Sequence, residues 1–509
     1  MILTNDGLKD RAAWKEKGYR LPRFDRQQMV EKTLAHPTWI HFGAGNIFKA
    51  FQADACQRLL DNGYSGYGVV AADYAERSLE VNDNLVIKVT LKTDGSVEKA
   101  VIASISEKVY VFGNEDRLQA MFEDPKLQMA SFTITEKGYA LYGADGEYLP
   151  AIKEDLAGDP ENPSTYMGRI TKFLHDRYVK NGRPVAMVSM DNCSHNGDKL
   201  KAIVMAFAQR YGEDFVAWLE KSVSFPWSMI DKITPAPSKD VEAILLADGL
   251  PEGTPFVNAE ESEYLVIEDD FPNGRPALEK AGIFFTDRET VDKVERMKVC
   301  TCLNPLHTAL AVYGCLLGFD KIASEMKDED LVKLVETIGY KEGLPVVVDP
   351  GVINPKEFID TVVNVRIPNP FMPDTPQRIA TDTSQKLSIR FGETIKNYIA
   401  SNELDVANLK LIPLVFAGWL RYLMAINDNG EKFEPSPDPL LETVQPYVAG
   451  FNLDEVPEVE KLHDLLANKT IFGVDLYEAG LADAVCAYFK ELCAGKGAVR
   501  STLHKYVDR

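Results

Sequence analysis

The stretch MKVCTCLNPLHTALAVYGCLLGF, Met297 to Phe319, carries a lysine, two cysteines, an asparagine, a proline and a histidine before it turns apolar. Asn304 and His307 are three residues apart and share a face if the segment is helical. Asn304-Pro305 reads as an N-cap followed by proline at the first helical position, with Lys298 on the segment leading in. A lysine in a closed, low-dielectric site loses basicity and becomes a usable proton acceptor near neutrality. An asparagine amide beside it can donate to a developing alkoxide. Cys300, Cys302 and His307 form the one cluster with a zinc-like donor set. On spacing alone, the same letters also read as a capped helix, a solvated lysine and a histidine filling a polar gap.

A second cluster, SMDNCSHNGDKL at 189–200, follows the apolar run VAMV and precedes a helix, where ligand sites sit on open α/β sheets. Asn192 can supply another amide donor there. His195 and Asn196 read equally well as residues that shape the turn.

The elements that position these groups begin at TWIHFGA (38–44), a short buried strand broken by Gly43-Ala44-Gly45. NIFKAFQADACQRLLDNG then has helical periodicity, with Phe48, Phe51, Ala55 and Leu59 or Leu60 on one side and Asn62-Gly63 as its stop. YGVVAAD (67–73) is a second strand closing on Asp73. Gly43 permits a tight turn, Gly45 lets backbone amides approach a pyrophosphate, and Asp73 is placed for adenosine ribose hydroxyls. The third glycine of the dinucleotide fingerprint is missing, since Phe48 stands there. Asp73 favours NAD over NADP, while Arg77 leaves room for a 2′-phosphate.

A nicotinamide enzyme acting on an alcohol must also move a proton. A Tyr-x-x-x-Lys pair is absent from the sequence. That leaves a zinc on the Cys300–His307 cluster, or a lysine base with amide and imidazole partners.

Further strand-like runs at 86–91, 108–113, 129–135 and 185–190 alternate with helical stretches, which predicts a mostly parallel sheet covered by helices. Residues 240–280 read as strand and loop. After about 290 nearly every segment favours helix. The expectation is therefore an α/β Rossmann-like domain over 1–290 and a mainly α-helical domain over 291–509. LIPLVFAGWLRYLMAI reads as core.

Bulk properties bound the function. The 509 residues exceed what one hydrophobic core holds. A formal charge of -21 argues against nucleic acid and anionic membrane as partners. No run of about 18 apolar residues is evident, and no leader is evident at the N-terminus. Seven cysteines without a CxxC pair suggest reduced thiols and a cytoplasmic location.

In order along the chain, HFGAGNIFKAFQ, FTITEKGY, SMDNCSHNG, MIDKITP, VIEDDFPNGRP, LNPLHTAL, DTPQRIATDTSQK and DLYEAGL resemble the polyol-specific long-chain dehydrogenases. These are mannitol dehydrogenases and the mannonate and altronate oxidoreductases, and the resemblance runs from about residue 38 to the end. It implies metal-independent NAD(P) chemistry, with Lys298 as general base and Asn192 and Asn304 stabilising the oxyanion. His307, Asp231, Arg378 and Lys386 would bind substrate, and Asn46, Ile47, Phe48 and Glu136 would join Gly43, Gly45 and Asp73 around NAD. The family places its lysine five residues before the asparagine, whereas Lys298 and Asn304 are six apart, and Lys232 stands where arginine is common. The first expectation is D-mannonate/D-fructuronate interconversion, with mannitol/fructose, altronate/tagaturonate or a non-catalytic NADH sensor as alternatives. The partner is a small polyol or sugar acid, and monomer and homodimer are both open.

Overall fold

The computed structural model describes residues 1–74 and 82–508. It divides into two compact units, Met1–Lys92 with Ser96–Asp292, and Thr93–Gly95 with Lys293 onward. Arg77 lies outside the described residues.

The first unit is built on six parallel strands. In chain order they are β1 (Trp39–Phe42), β2 (Val69–Asp73), β3 (Ile105–Tyr110), β4 (Met129–Phe132), β5 (Val185–Ser189) and β6 (Val223–Ser224). Their order across the sheet is β3-β2-β1-β4-β5-β6. This is the order of a dinucleotide-binding sheet, and it reverses direction between β1 and β4. Every residue of β1, β4 and β5 is buried, as strands covered on both faces require. Ile40, Phe42, Val70 and Ala72 face one core, with Phe122, Phe173 and Phe207. Trp39, Val69 and Ala71 face the other, with Phe48, Phe51 and Leu59.

The strand at Val86–Leu91 does not join this sheet. It pairs antiparallel with Val97–Ile102 and parallel with Phe256–Glu260 in a separate four-stranded sheet. A third sheet holds Ser228–Asp231, Tyr264–Glu268 and Phe284–Thr286. Within the 240–280 region, Lys239–Ala247 is helix rather than strand, started by Ser238, whose Oγ accepts the Val241 N–H at 3.4 Å.

Among its described residues the second unit contains helices and no named strand. All 13 residues of Leu411–Leu423 are buried, which makes this helix core. Its N-terminus is held by the Glu342 carboxylate, which accepts from Lys410, Leu411 and Ile412 N–H at 2.7, 2.7 and 2.9 Å. It packs on Asn304–Leu317, where Gly418 lies against the Tyr313 ring; a Cβ there would sit 2.9 Å from Cζ. The run Arg288–Leu317 corrects one expectation, because it is long and apolar enough by composition to cross a membrane. Its apolar window is 78% buried inside the protein, as a core helix is. All seven cysteines are free thiols.

Candidate active site

Beyond the carboxyl ends of β1, β2 and β4 lies a cavity of about 430 Å³, lined by Gly43, Gly45, Asp73, Thr133, Thr135 and Tyr166 among others. Gly43 has φ +93°, and a Cβ there would meet the Thr133 carbonyl oxygen at 2.2 Å. Only glycine fits this turn. At Gly45 a Cβ would meet nothing within 4 Å, so the backbone is open to an approaching ligand. Asn46 and Ile47 are already helical.

Phe48, in place of a third glycine, is fully buried and stacks on His41 at 4.4 Å between ring centres. The helix is wound wide, as π-helix, over Phe48–Gln52 before it continues as Ala53–Asp61. Where a glycine would let helix and strand approach closely, this chain widens the turn around an aromatic ring. His41 Nδ1 contacts Ser131 Oγ at 2.7 Å and Nε2 contacts Thr133 Oγ1 at 2.8 Å. Burial pushes its pKa down to about 3, so the ring is neutral. Thr133 Oγ1 in turn donates to the Gly43 carbonyl at 2.9 Å, tying the glycine turn to β4.

Asp73 ends β2 and accepts the Tyr74 N–H at 2.8 Å. Glu136 is exposed and paired with Lys199 at the surface. Asp191, which sequence reasoning passed over, holds the far wall: its carboxylate accepts from Ile134 and Thr135 N–H, both at 2.9 Å. Thr135 sits at φ +67°, a strained conformation for a β-branched residue. The signal for Asp191 was its place beside Asn192.

Asn192 is exposed in the loop after β5. His195 adopts a left-handed conformation and stacks on Trp227 at 4.1 Å. Asn196 is fully buried: its amide nitrogen donates to Asp191 O and Ser228 O, and its oxygen accepts the Ser228 N–H. It pins the strand whose last residue is Asp231, itself buried. Lys232 points elsewhere, into a charged cavity of about 440 Å³, where its amine donates to Glu260 O at 2.7 Å.

In the second unit, Lys298 is buried on a π turn, Lys298–Cys302, followed by the helix Asn304–Leu317. Leu303, not Asn304, holds the cap position, which corrects the reading of Asn304 as N-cap. The Asn304 side chain makes no hydrogen bond among the described residues and is uncommitted. Pro305 falls in the first turn, where a missing N–H costs nothing. His307 follows one turn after Asn304. Cys302 is buried with its thiol toward the Pro355 carbonyl, and burial raises its pKa. Among the described residues no group of three His, Cys, Asp or Glu side chains is placed to hold a metal ion.

Arg378 lies on the short helix Pro376–Ile379, its guanidinium paired with the buried Asp374 carboxylate. Lys386 donates to Thr381 O at 2.6 Å. One turn later Arg390 donates to Thr308 Oγ1, beside His307, and Thr308 donates to Asn304 O at 2.9 Å. Lys298, Asn304, His307, Lys386 and Arg390 thus belong to one packed group of elements, since the π turn Ser388–Gly392 packs on Lys298–Cys302.

Residues 37–280 match the profile of the mannitol dehydrogenase Rossmann domain, and 290–493 that of the mannitol dehydrogenase C-terminal domain. The chain belongs to the mannitol dehydrogenase family. A D-mannonate oxidoreductase of Thermotoga maritima is 48% identical over 100% of this chain and 99% of its own. The D-mannonate oxidoreductase of Escherichia coli is 30% identical over 90% of this chain and 96% of its own. Among solved structures, Pseudomonas fluorescens mannitol 2-dehydrogenase in ternary complex with NAD and D-mannitol superposes with TM-score 0.71 and 28% identity, covering 100% of both chains. The Rossmann-like sheet and the helical second unit are the family's two domains.

Proposed function

We propose that the protein is an NAD-dependent oxidoreductase that interconverts D-mannonate and D-fructuronate, the secondary alcohol and ketone of an open-chain sugar acid. The observation that carries the reading is the Asn304 amide, uncommitted at the head of a helix, with the buried Lys298 before it and His307 one turn on. The Thermotoga maritima relative supports the sugar-acid substrate.

The cavity at Gly43, Gly45 and Asp73 fits a dinucleotide. The glycine turn leaves backbone open for the pyrophosphate, and the Asp73 carboxylate can accept from ribose hydroxyls. NAD, when bound, supplies the hydride acceptor. Asn46, Ile47, Phe48 and Glu136 complete its surroundings in this reading.

Lys298 takes the proton of the substrate hydroxyl in the oxidising direction and returns it in the reducing one. Asn192 and Asn304 donate to the oxygen as charge develops on it. His307, Asp231, Arg378 and Lys386 orient the hydroxylated chain, and proton transfer is assigned to Lys298 rather than to a metal. The test is reduction of fructuronate, tagaturonate and fructose by the purified protein with NADH, with and without a chelator. Turnover of fructose with none on either uronate would overturn the substrate, and loss of activity to the chelator would overturn the metal-independent mechanism.

A further inference from the structure

We infer that Arg390 is the carboxylate anchor of this site: with Lys386 one turn before it, its guanidinium takes the acid group of an open-chain sugar acid and selects such substrates over neutral polyols. The inference rests on the reading above and names the group that sets its substrate class.

Two fully buried arginines are each answered by several backbone carbonyls. Arg177 donates to the carbonyls of Phe122, Asp124, Leu127, Arg183 and Pro184. Arg421 donates to those of Leu492, Ile426 and Asn427. Arg390 has a single protein acceptor, the neutral Thr308 hydroxyl, and no carboxylate among the described residues pairs with it. A half-buried cation with one neutral partner is costly unless an anion joins it.

The neighbours sharpen this. Lys386 is four residues away on the same helical face, and its basicity is lowered first by burial and then by Arg390 itself. Like charges one turn apart repel. Asp382, at 4.0 Å, and Asp438 act on Lys386 and leave Arg390 unmatched. Arg378 already holds the buried Asp374 carboxylate, so its charge is answered inside the protein. The N-terminus of the 14-residue helix Asn304–Leu317 adds further positive field. Through Thr308, whose hydroxyl donates to the Asn304 carbonyl, the guanidinium is held on the first turns of the helix that carries Asn304 and His307, the groups assigned to the reacting end of the substrate. A planar guanidinium can hold a carboxylate through two parallel hydrogen bonds.

The experiment compares kcat/KM for D-fructuronate and for D-fructose in the intact protein with NADH, in wild type, Arg390→Met and Arg390→Lys. The uronate-to-ketose ratio is expected to fall roughly 10- to 100-fold in Arg390→Met, mainly through KM, with part of the loss recovered in Arg390→Lys. Equal losses on both substrates, or an unchanged ratio, would overturn the inference and leave Arg390 a structural residue. Calorimetric titration of the NADH-bound protein with D-gluconate separates the two readings. If wild type reduces no uronate yet binds gluconate, and Arg390→Met does not, the substrate assignment fails and the anchor stands. If wild type binds no sugar acid at all, the anchor falls as well.

Discussion

The Leu303 N–H donates to the Lys298 carbonyl at 3.1 Å, closing a hydrogen bond across five residues where an α-helix closes across four. The wider turn accommodates one residue more, and it lies in the interval where the lysine and asparagine of this chain are six apart, where the family resemblance leads one to expect five. The turn closes before Asn304, and the helix carrying Asn304 and His307 begins with the His307 N–H donating to the Leu303 carbonyl at 3.1 Å. Turns of this kind recur at functional sites because they re-aim a side chain without breaking a helix.

Lys298→Ala is expected to lower kcat by about 10²- to 10⁴-fold in both directions, the range typical of a general acid–base group. Because the residue sits on a hydrogen-bonded turn whose backbone bond survives the change, the melting temperature should move little. Steady-state kinetics beside a thermal melt check this; near-wild-type turnover from a folded variant removes the lysine from the mechanism.

Asn304→Ala separates a catalytic amide from a capping one. A cap residue replaced by alanine costs about 1 kcal/mol of stability, whereas loss of an oxyanion donor costs about 10²-fold or more in kcat. With Leu303 in the cap position, the kinetic loss is expected without the thermal one. A variant that melts several degrees lower and turns over normally would restore the capping role.

How far the sequence carries such arguments depends on distance along the chain. The strand, glycine turn, helix and Asp73 were readable because each depends on its own neighbours: Gly43, Phe48 and Asn62-Gly63 act locally. The strand at 86–91 was also readable, but not its sheet, because its partner Phe256–Glu260 lies more than 160 residues on. The apolar run inside Lys239–Ala247 fits strand and helix alike, and the Ser238 cap decides between them. In the site, Asn304 and His307 stood out by spacing. Asp191 and Arg390 did not, since their partners, Thr135 and Thr308, are 56 and 82 residues away.

Gly43→Ala should abolish dinucleotide binding in the first unit. The added methyl would collide with the Thr133 carbonyl, and the positive φ disfavours any side chain. Quenching of tryptophan fluorescence by NADH gives the readout, with Gly45→Ala as comparison. Gly45 has open space for a methyl in the free protein, so that variant should fold normally and lose affinity only where the cofactor backbone approaches. Undiminished NADH binding by Gly43→Ala would place the cofactor elsewhere.

Glu325 gives the stability curve a slope between about pH 4.5 and 9. It is fully buried, neither carboxyl oxygen has a hydrogen-bond partner among the described residues, and Oε1 lies 2.1 Å from where a Cβ on Gly314 would be. Burial, with a smaller contribution from the Asp328 charge, pushes its pKa up to about 9 from an ordinary value near 4.5. Between those two values the folded protein keeps a proton that the unfolded chain has released. Folding is therefore favoured by this group below pH 4.5, and that contribution declines as pH rises toward 9, by at most roughly 1.4 kcal/mol per pH unit. Glu325→Gln keeps the shape and removes the titration. Its melting temperature relative to wild type should climb as the pH is raised from 5 to 9, read by calorimetry at fixed ionic strength. Parallel curves for the two proteins would mean that the carboxyl finds a partner or water when it ionises.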